Sequence, residues 1–270
     1  MINAIAFSKD RACQLHLLIS SLEKNAKNIF ELKIIYTYSN EEFEKGYEKL
    51  IEMYPEIKWF KQSDNFKQDV LTNLETEHKY SCFFTDDDIL YRPIKEEEMT
   101  SKLEENNDAF CFSGRLGLNT TKCYTMNCDN VLKPEYEDDK FIKWDWKVHF
   151  MDSGYPLSLD FHVFRTNEIT KLTKKVSFTN PNTFEEGLQM FDGFPKTKMW
   201  AYKHSSLVGV PVNIVNDTHP NLNGQNHSIS TESLNDKFLN GEIIDYDNLD
   251  FENITGCHQE IKYKFKECNK

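Results

Sequence analysis

Across the first ninety residues, short apolar runs alternate with amphipathic ones. Ile2 to Phe7, Lys33 to Tyr38, Ile57 to Phe60 and Tyr80 to Phe84 read as strands. Between them, Leu15, Leu18, Ile19 and Leu22 recur at helical spacing, as do Phe43, Tyr47, Leu50 and Tyr54, and then Phe66, Val70 and Leu74. Apolar residues three and four apart form one helical face, whereas strands bury continuous runs. The pattern predicts β-α-β-α-β-α-β. That order requires crossover connections and a parallel sheet with helices on both faces. Asp10 is the expected cap of the first helix.

Ligands of such sheets bind beyond the carboxyl ends of the strands. Polar groups gather at those ends here. Ser8 to Arg11 follow the first strand, Ser39 and Asn40 the second, and Ser63 and Asp64 the third. Asp86, Asp87 and Asp88 follow the fourth. Three adjacent carboxylates repel one another and must be hydrated or bound. An acidic turn in solvent explains them, and so does a divalent cation. Mg²⁺ and Mn²⁺ favour oxygen ligands, one or two carboxylates together with substrate phosphates.

The whole composition narrows the partners. The 270 residues hold 32 Lys and Arg against 44 Asp and Glu, a net charge of −12. Such a chain is a poor binder of nucleic acid or anionic lipid, which attract clustered cations. A small phosphorylated ligand held by one metal is compatible with it. No apolar run reaches the 18 residues of a membrane span, and Lys9, Asp10 and Arg11 interrupt the N-terminal run. The seven cysteines include no C-x-x-C pair. Free thiols and a cytoplasmic location are therefore expected.

The strand leading into SKDRACQL, then SDNFKQDV, then the aspartate triplet resembles the nucleotide-sugar-binding half of GT-A glycosyltransferases, above all the broad family-2-like group. The resemblance implies a GT-A-type, Rossmann-like mixed sheet flanked by helices. It implies Mn²⁺ or Mg²⁺ with Asp88 as direct ligand. Asp86 would face the ribose or nucleotide, with Asp87 beside it. Phe7, Ser8 and Arg11 would meet the nucleoside and phosphates. Asp64 matches the acid that faces a pyrimidine in this fold, with Lys67 supporting that corner, so a UDP-sugar is the favoured donor.

The second half is less regular. YPLSLDFHVFR (155–165) and NPNTFEEGL (180–188) resemble acceptor-side and catalytic elements of related transferases. An inverting transferase needs a carboxylate to deprotonate the acceptor hydroxyl. Glu185 is the first candidate base and Asp160 the second. Thr183 and Glu186 read as a capping box. Leu207 to Val215 reads as an edge or bent strand because of Pro211. The segment after it resembles the loop that closes over a donor diphosphate, with His219 as a metal ligand and His227 as its substitute. Trp144, Trp146 and Trp200 are candidates to stack on a sugar.

The expected layout is one domain: a nucleotide-sugar half (1–113), an acceptor and catalytic half (114–220), and an extension (221–270) without a legible signal. The acceptor is a saccharide, a lipid-linked sugar or a protein. Two other readings share the acidic corner. A nucleotidyltransferase needs a glycine-rich or basic triphosphate segment, and residues 1–30 contain no glycine. A non-catalytic carbohydrate- or protein-binding module would keep the fold without turnover.

Overall fold

A computed structural model describes residues 1–190, 193, 196–215, 218 and 222–268. The N-terminal alternation is β1 (Ile2–Lys9), α1 (Ala12–Asn25), β2 (Phe30–Thr37), α2 (Glu41–Met53), β3 (Lys58–Lys61), α3 (Phe66–Leu74) and β4 (Tyr80–Thr85). There follow β5 (Asp88–Leu90), α4 (Glu96–Glu105), β6 (Ala109–Ser113), β7 (Lys122–Cys123), β8 (Cys128–Asp129), β9 (Tyr136–Glu137) and β10 (Phe141–Asp145). Two 3-10 turns precede β11 (His162–Arg165), α5 (Thr166–Lys175), α6 (Pro181–Gln189), β12 (Lys198–Tyr202) and β13 (Leu207–Gly209). The chain closes with α7 (Thr231–Leu239), β14 (Glu242–Ile244) and β15 (Phe265–Glu267).

The main sheet has nine strands in the order β3-β2-β1-β4-β11-β6-β12-β10-β9. Its first four are parallel, as the alternation requires. Strand β11 then runs antiparallel to both β4 and β6, so the sheet is mixed. Both faces are covered. Ile2, Ala4 and Ala6 of β1 join one core with Leu15, Leu50, Leu103 and Phe238. Ile5 and Phe7 join the other with Val70, Ile169 and Phe184. The period of two in β1 thus feeds two cores, the pattern of a strand buried on both sides. Helices α1, α2, α4 and α7 supply the first layer, and α3, α5 and α6 the second. Among the described residues no helix is long and apolar enough to cross a membrane.

Three local expectations change. Asp10 does not cap α1. Its φ is 56°, and its carboxylate instead accepts the backbone N–H of Ser39 at 2.7 Å, tying the ends of β1 and β2. Helix α6 starts at Pro181, with Asn180 as N-cap and Thr183 closing the capping box. The box lies three residues earlier than the Thr183–Glu186 reading, because Asn180 accepts from the Thr183 N–H. Only Leu207–Gly209 forms a strand, paired antiparallel with β5. Pro211 carries no N–H to extend that ladder.

Candidate active site

A cavity of about 1160 Å³ opens at the carboxyl ends of β1, β2 and β4. Phe7, Ser8 and Arg11 line it with Asp86 and Asp87, and Asp160 and Glu185 face it from the second half. The structure thus gathers residues from both halves of the sequence. Asp64 is exposed and lies outside this lining. Lys67 also lies outside it, donating to the Val176 carbonyl at 2.6 Å. His219 falls outside the described residues. His227 is exposed and away from the lining. The three tryptophans do not line the cavity either. Trp144 is fully buried, with its indole N–H donating to the Ser153 carbonyl at 2.8 Å.

The corner at the ends of β1 and β4 is held by Arg11. Its Nη1 meets Asp86 Oδ1 at 2.9 Å and Asp87 Oδ2 at 3.3 Å. Its Nε donates to Asn213 Oδ1 at 2.8 Å. Asp86 also accepts the Lys9 N–H at 3.1 Å. Arg11 therefore joins the ends of β1 and β4 to the segment after β13. Ser8 Oγ bonds the Tyr47 hydroxyl at 2.7 Å. Burial pushes the Asp86 carboxyl up to about 6, against the pull of Arg11.

Asp88 lies under this corner, fully buried. Its Oδ2 accepts the Thr85 N–H at 3.0 Å, while its Oδ1 has no hydrogen-bond partner. Burial, and then the charges of Asp160 and Asp87, push Asp88 well above the usual carboxylate range. The unpartnered oxygen lies near Gly209, whose lack of a side chain lets the His258 ring approach. A Cβ on Gly209 would lie 3.6 Å from Asp88 Oδ1 and 3.1 Å from His258 Nε2. A carboxylate oxygen suits Mn²⁺ or Mg²⁺, and an imidazole nitrogen beside it is better accepted by Mn²⁺ than by the harder Mg²⁺. Among the described residues no three His, Cys, Asp or Glu side chains form a ready cluster for an ion. An ion here would complete its shell with phosphates of a ligand, as Mg²⁺ commonly does.

A second corner centres on Arg115, which sequence reasoning missed. It is buried and bonds Asp160 Oδ2 at 2.7 Å and Asp152 Oδ1 at 3.0 Å. Thr85 Oγ1 donates to Asp160 Oδ1 at 3.1 Å, and His258 Nε2 lies 3.3 Å from Asp160 Oδ2. Burial alone would raise Asp160, but Arg115 and His258 override it and hold it below the usual range. Glu185 behaves oppositely. Half-buried on α6, it accepts the Leu159 N–H at 3.0 Å. Burial, and then the charge of Asp160, raise it to about 7.

Both missed residues have a structural reason. Arg115 stands just beyond β6, which runs parallel to β4 through the intervening antiparallel β11. The strand-end rule that singled out the aspartates would have found it. His258 arrives from the far end of the chain. Gly209 donates to the Cys257 carbonyl at 2.9 Å and accepts from Gln259 N–H at 2.9 Å. No local motif announces such a bridge.

No protein-family model matches the chain. A curated relative is the bifunctional glycosyltransferase pgtA of Dictyostelium discoideum, 27% identical over 254 residues, which cover 82% of this chain. The match spans 33% of that protein's own length, about a third. Among solved structures, S. aureus TarS (residues 1–349) aligns over 77% of this chain and 59% of its own at 12% identity, TM-score 0.47. The mannosyltransferase PcManGT from Pyrobaculum calidifontis, solved with GDP-Man and Mn²⁺, aligns over 67% and 50% at 8% identity, TM-score 0.37. The chain is similar to a glycosyltransferase over most of its own length, and its sheet is the mixed, Rossmann-like one that a GT-A-type resemblance implies.

Proposed function

We propose that the protein is a metal-dependent glycosyltransferase that moves a sugar from a nucleoside-diphosphate sugar to an acceptor hydroxyl with inversion. One observation carries the reading. A single cavity brings an acidic corner at the strand ends together with a carboxyl, Glu185, whose pKa of about 7 suits a general base.

The division of work follows the two corners. Arg11, Asp86 and Asp87 bind and orient the nucleotide end, with Phe7 and Ser8 forming the floor. Asp88 and His258 would hold Mn²⁺ or Mg²⁺, which supplies Lewis-acid stabilisation to a departing diphosphate. Glu185 takes the proton of the acceptor hydroxyl as that oxygen attacks the anomeric carbon from the face opposite the leaving group. The nucleoside diphosphate departs with the bonding electron pair. Asp160 is a weaker base, because Arg115 stabilises its ionised form. It positions the corner instead.

A UDP-sugar remains the default donor. Asp64 no longer supports it, being exposed and outside the lining. The segment 1–113 contributes the donor corner and 114–220 the base, while 221–270 contributes His258. A reducing cytoplasm suits the seven unpaired cysteines.

The test is a thermal-shift screen with UDP, GDP, TDP and CMP, each with and without Mn²⁺. A ligand that binds only the folded state raises its melting temperature by mass action. Metal-dependent stabilisation by one nucleoside diphosphate, lost in Asp88→Asn, is the expected result. No shift at millimolar ligand would remove the donor-binding reading.

A further inference from the structure

Several of the large apolar side chains left in solvent gather at one place. Met126, Phe150, Met151 and Met190 are 63%, 79%, 42% and 75% exposed. All four line the cavity that holds Glu185. Each forgoes the favourable free energy of burial, and apolar surface concentrated at a cleft marks a binding surface.

The side chains are held out by the backbone. Phe150 is the N-cap and Met151 the first residue of the second of two 3-10 turns, Trp146–Val148 and Met151–Gly154. Ser153 Oγ donates to the carbonyls of Val131 and Phe150, both at 2.9 Å. The Trp144 indole fixes Ser153 from beneath at 2.8 Å. A Cβ on Gly154 would fall 2.4 Å from the His149 carbonyl oxygen, so the turn closes only with glycine there. Met151 has φ 55°, which a bulky side chain rarely adopts unless its surroundings impose it. The turns are also wired to the chemistry, since Asp152 accepts from Arg115 at 3.0 Å. Met190 is the C-cap of α6, the helix that carries Glu185. Met126 comes from the β7–β8 hairpin. Three separate elements thus bring apolar groups to the cavity that Glu185 also lines.

We propose that Met126, Phe150, Met151 and Met190 form an acceptor subsite for an uncharged alkyl chain, the aglycone of a glycoside whose hydroxyl faces Glu185. The proposal rests on the transferase reading for the hydroxyl but not for the chain. Three of the four groups are methionines, whose flexible thioether arms follow a flexible chain. Glu185 and Glu186 stand on the helix that Met190 caps and line the same cavity, which disfavours an anionic arm beside that methionine.

Two measurements on the full chain test it. The methyl groups of ¹³C-methyl-methionine protein are observed by NMR, assigned through single Met→Leu variants. n-Octyl β-D-glucopyranoside below its micelle concentration is expected to shift the signals of Met126, Met151 and Met190, and methyl β-D-glucopyranoside is not. In the second, transfer from the donor found by thermal shift is compared for methyl, p-nitrophenyl and octyl glycosides of each sugar tried. The octyl-to-methyl ratio of kcat/KM is expected to reach about tenfold, mostly through KM, and to fall toward one in Phe150→Ser. Silent methionine signals, or a ratio near one in the wild type, would overturn the subsite while leaving the transferase intact. A ratio unchanged in Phe150→Ser, or aryl glycosides outrunning octyl ones, would overturn it as drawn. Methionine shifts with no turnover of any nucleotide sugar would leave the subsite standing and sink the transferase.

Discussion

The backbone N–H of Leu159 donates to Glu185 Oε1 at 3.0 Å, so the candidate base is aimed by the residue next to Asp160. A glutamine keeps an oxygen for that N–H but cannot take a proton. Glu185→Gln is therefore expected to fold normally and bind nucleotide normally. Its turnover should drop on the order of 10²–10⁴-fold, the usual share of general-base catalysis. Steady-state kinetics beside a melting curve checks this. Turnover within a few-fold of wild type would take Glu185 out of the reaction.

The pH dependence follows from the same carboxyl. Glu185 titrates near 7 because it is buried beside Asp160. The ionised form is the base, so kcat/KM should rise with pH through about 7 and level off above it. Stability should move the opposite way. A carboxyl raised from 4.5 to about 7 on folding binds its proton more tightly in the folded state. Its contribution is present in full at acid pH and fades as pH climbs from about 4.5 to 7. Denaturation curves across that window should show this loss in the wild type and not in Glu185→Gln.

Arg115 is buried against two carboxylates, at 2.7 Å and 3.0 Å. Arg115→Met leaves Asp152 without its cation and Asp160 with only His258 beside it. Breaking a buried pair from one side costs about 3–5 kcal/mol, and urea denaturation should record a loss of that order. Arg115→Lys keeps the charge without the fork and should lose less. Equal losses for both variants would mean that packing, not charge, governs the site.

Gly209 is the third lever. An added Cβ would come within 2.6 Å of His258 Cδ2, so the ring must move. Because a side chain yields more readily than backbone, Gly209→Ala should cost little stability. It should weaken Mn²⁺-dependent nucleotide binding, read as a smaller thermal shift at fixed ligand. An undiminished shift would separate His258 from the metal.

Much of the fold is legible in the N-terminal half because its signals are local. The periodicities of residues 2–84 give β1 to β4 and the helices between them, and both cores follow from the period of two in β1. Part of the site follows from the same reading: strand ends place Arg11, Asp86 and Asp87 in the cavity, and Glu185 reaches it on α6. Other features depend on tertiary geometry. Asp64 and Asn65 are adjacent and both suit a cap, but Asn65 accepts the Gln68 N–H at 3.1 Å and Asp64 points to solvent. Asp88 looks like its two neighbours in the sequence, yet it alone heads β5 and is fully buried. The β13–β5 ladder is three residues long and pairs positions more than a hundred apart, which no periodicity encodes.

That late bridge between Gly209 and Cys257–Gln259 has a temporal meaning. A ribosome making this chain finishes the nine-stranded sheet once Tyr202 has emerged. At that moment the three aspartates, Arg115 and Glu185 are already present. The histidine beside them is still more than fifty residues from emerging. The strands of that sheet are thus all present before α7 covers one face of it and before His258 reaches this corner, so the last stretch of chain completes the core and the corner together.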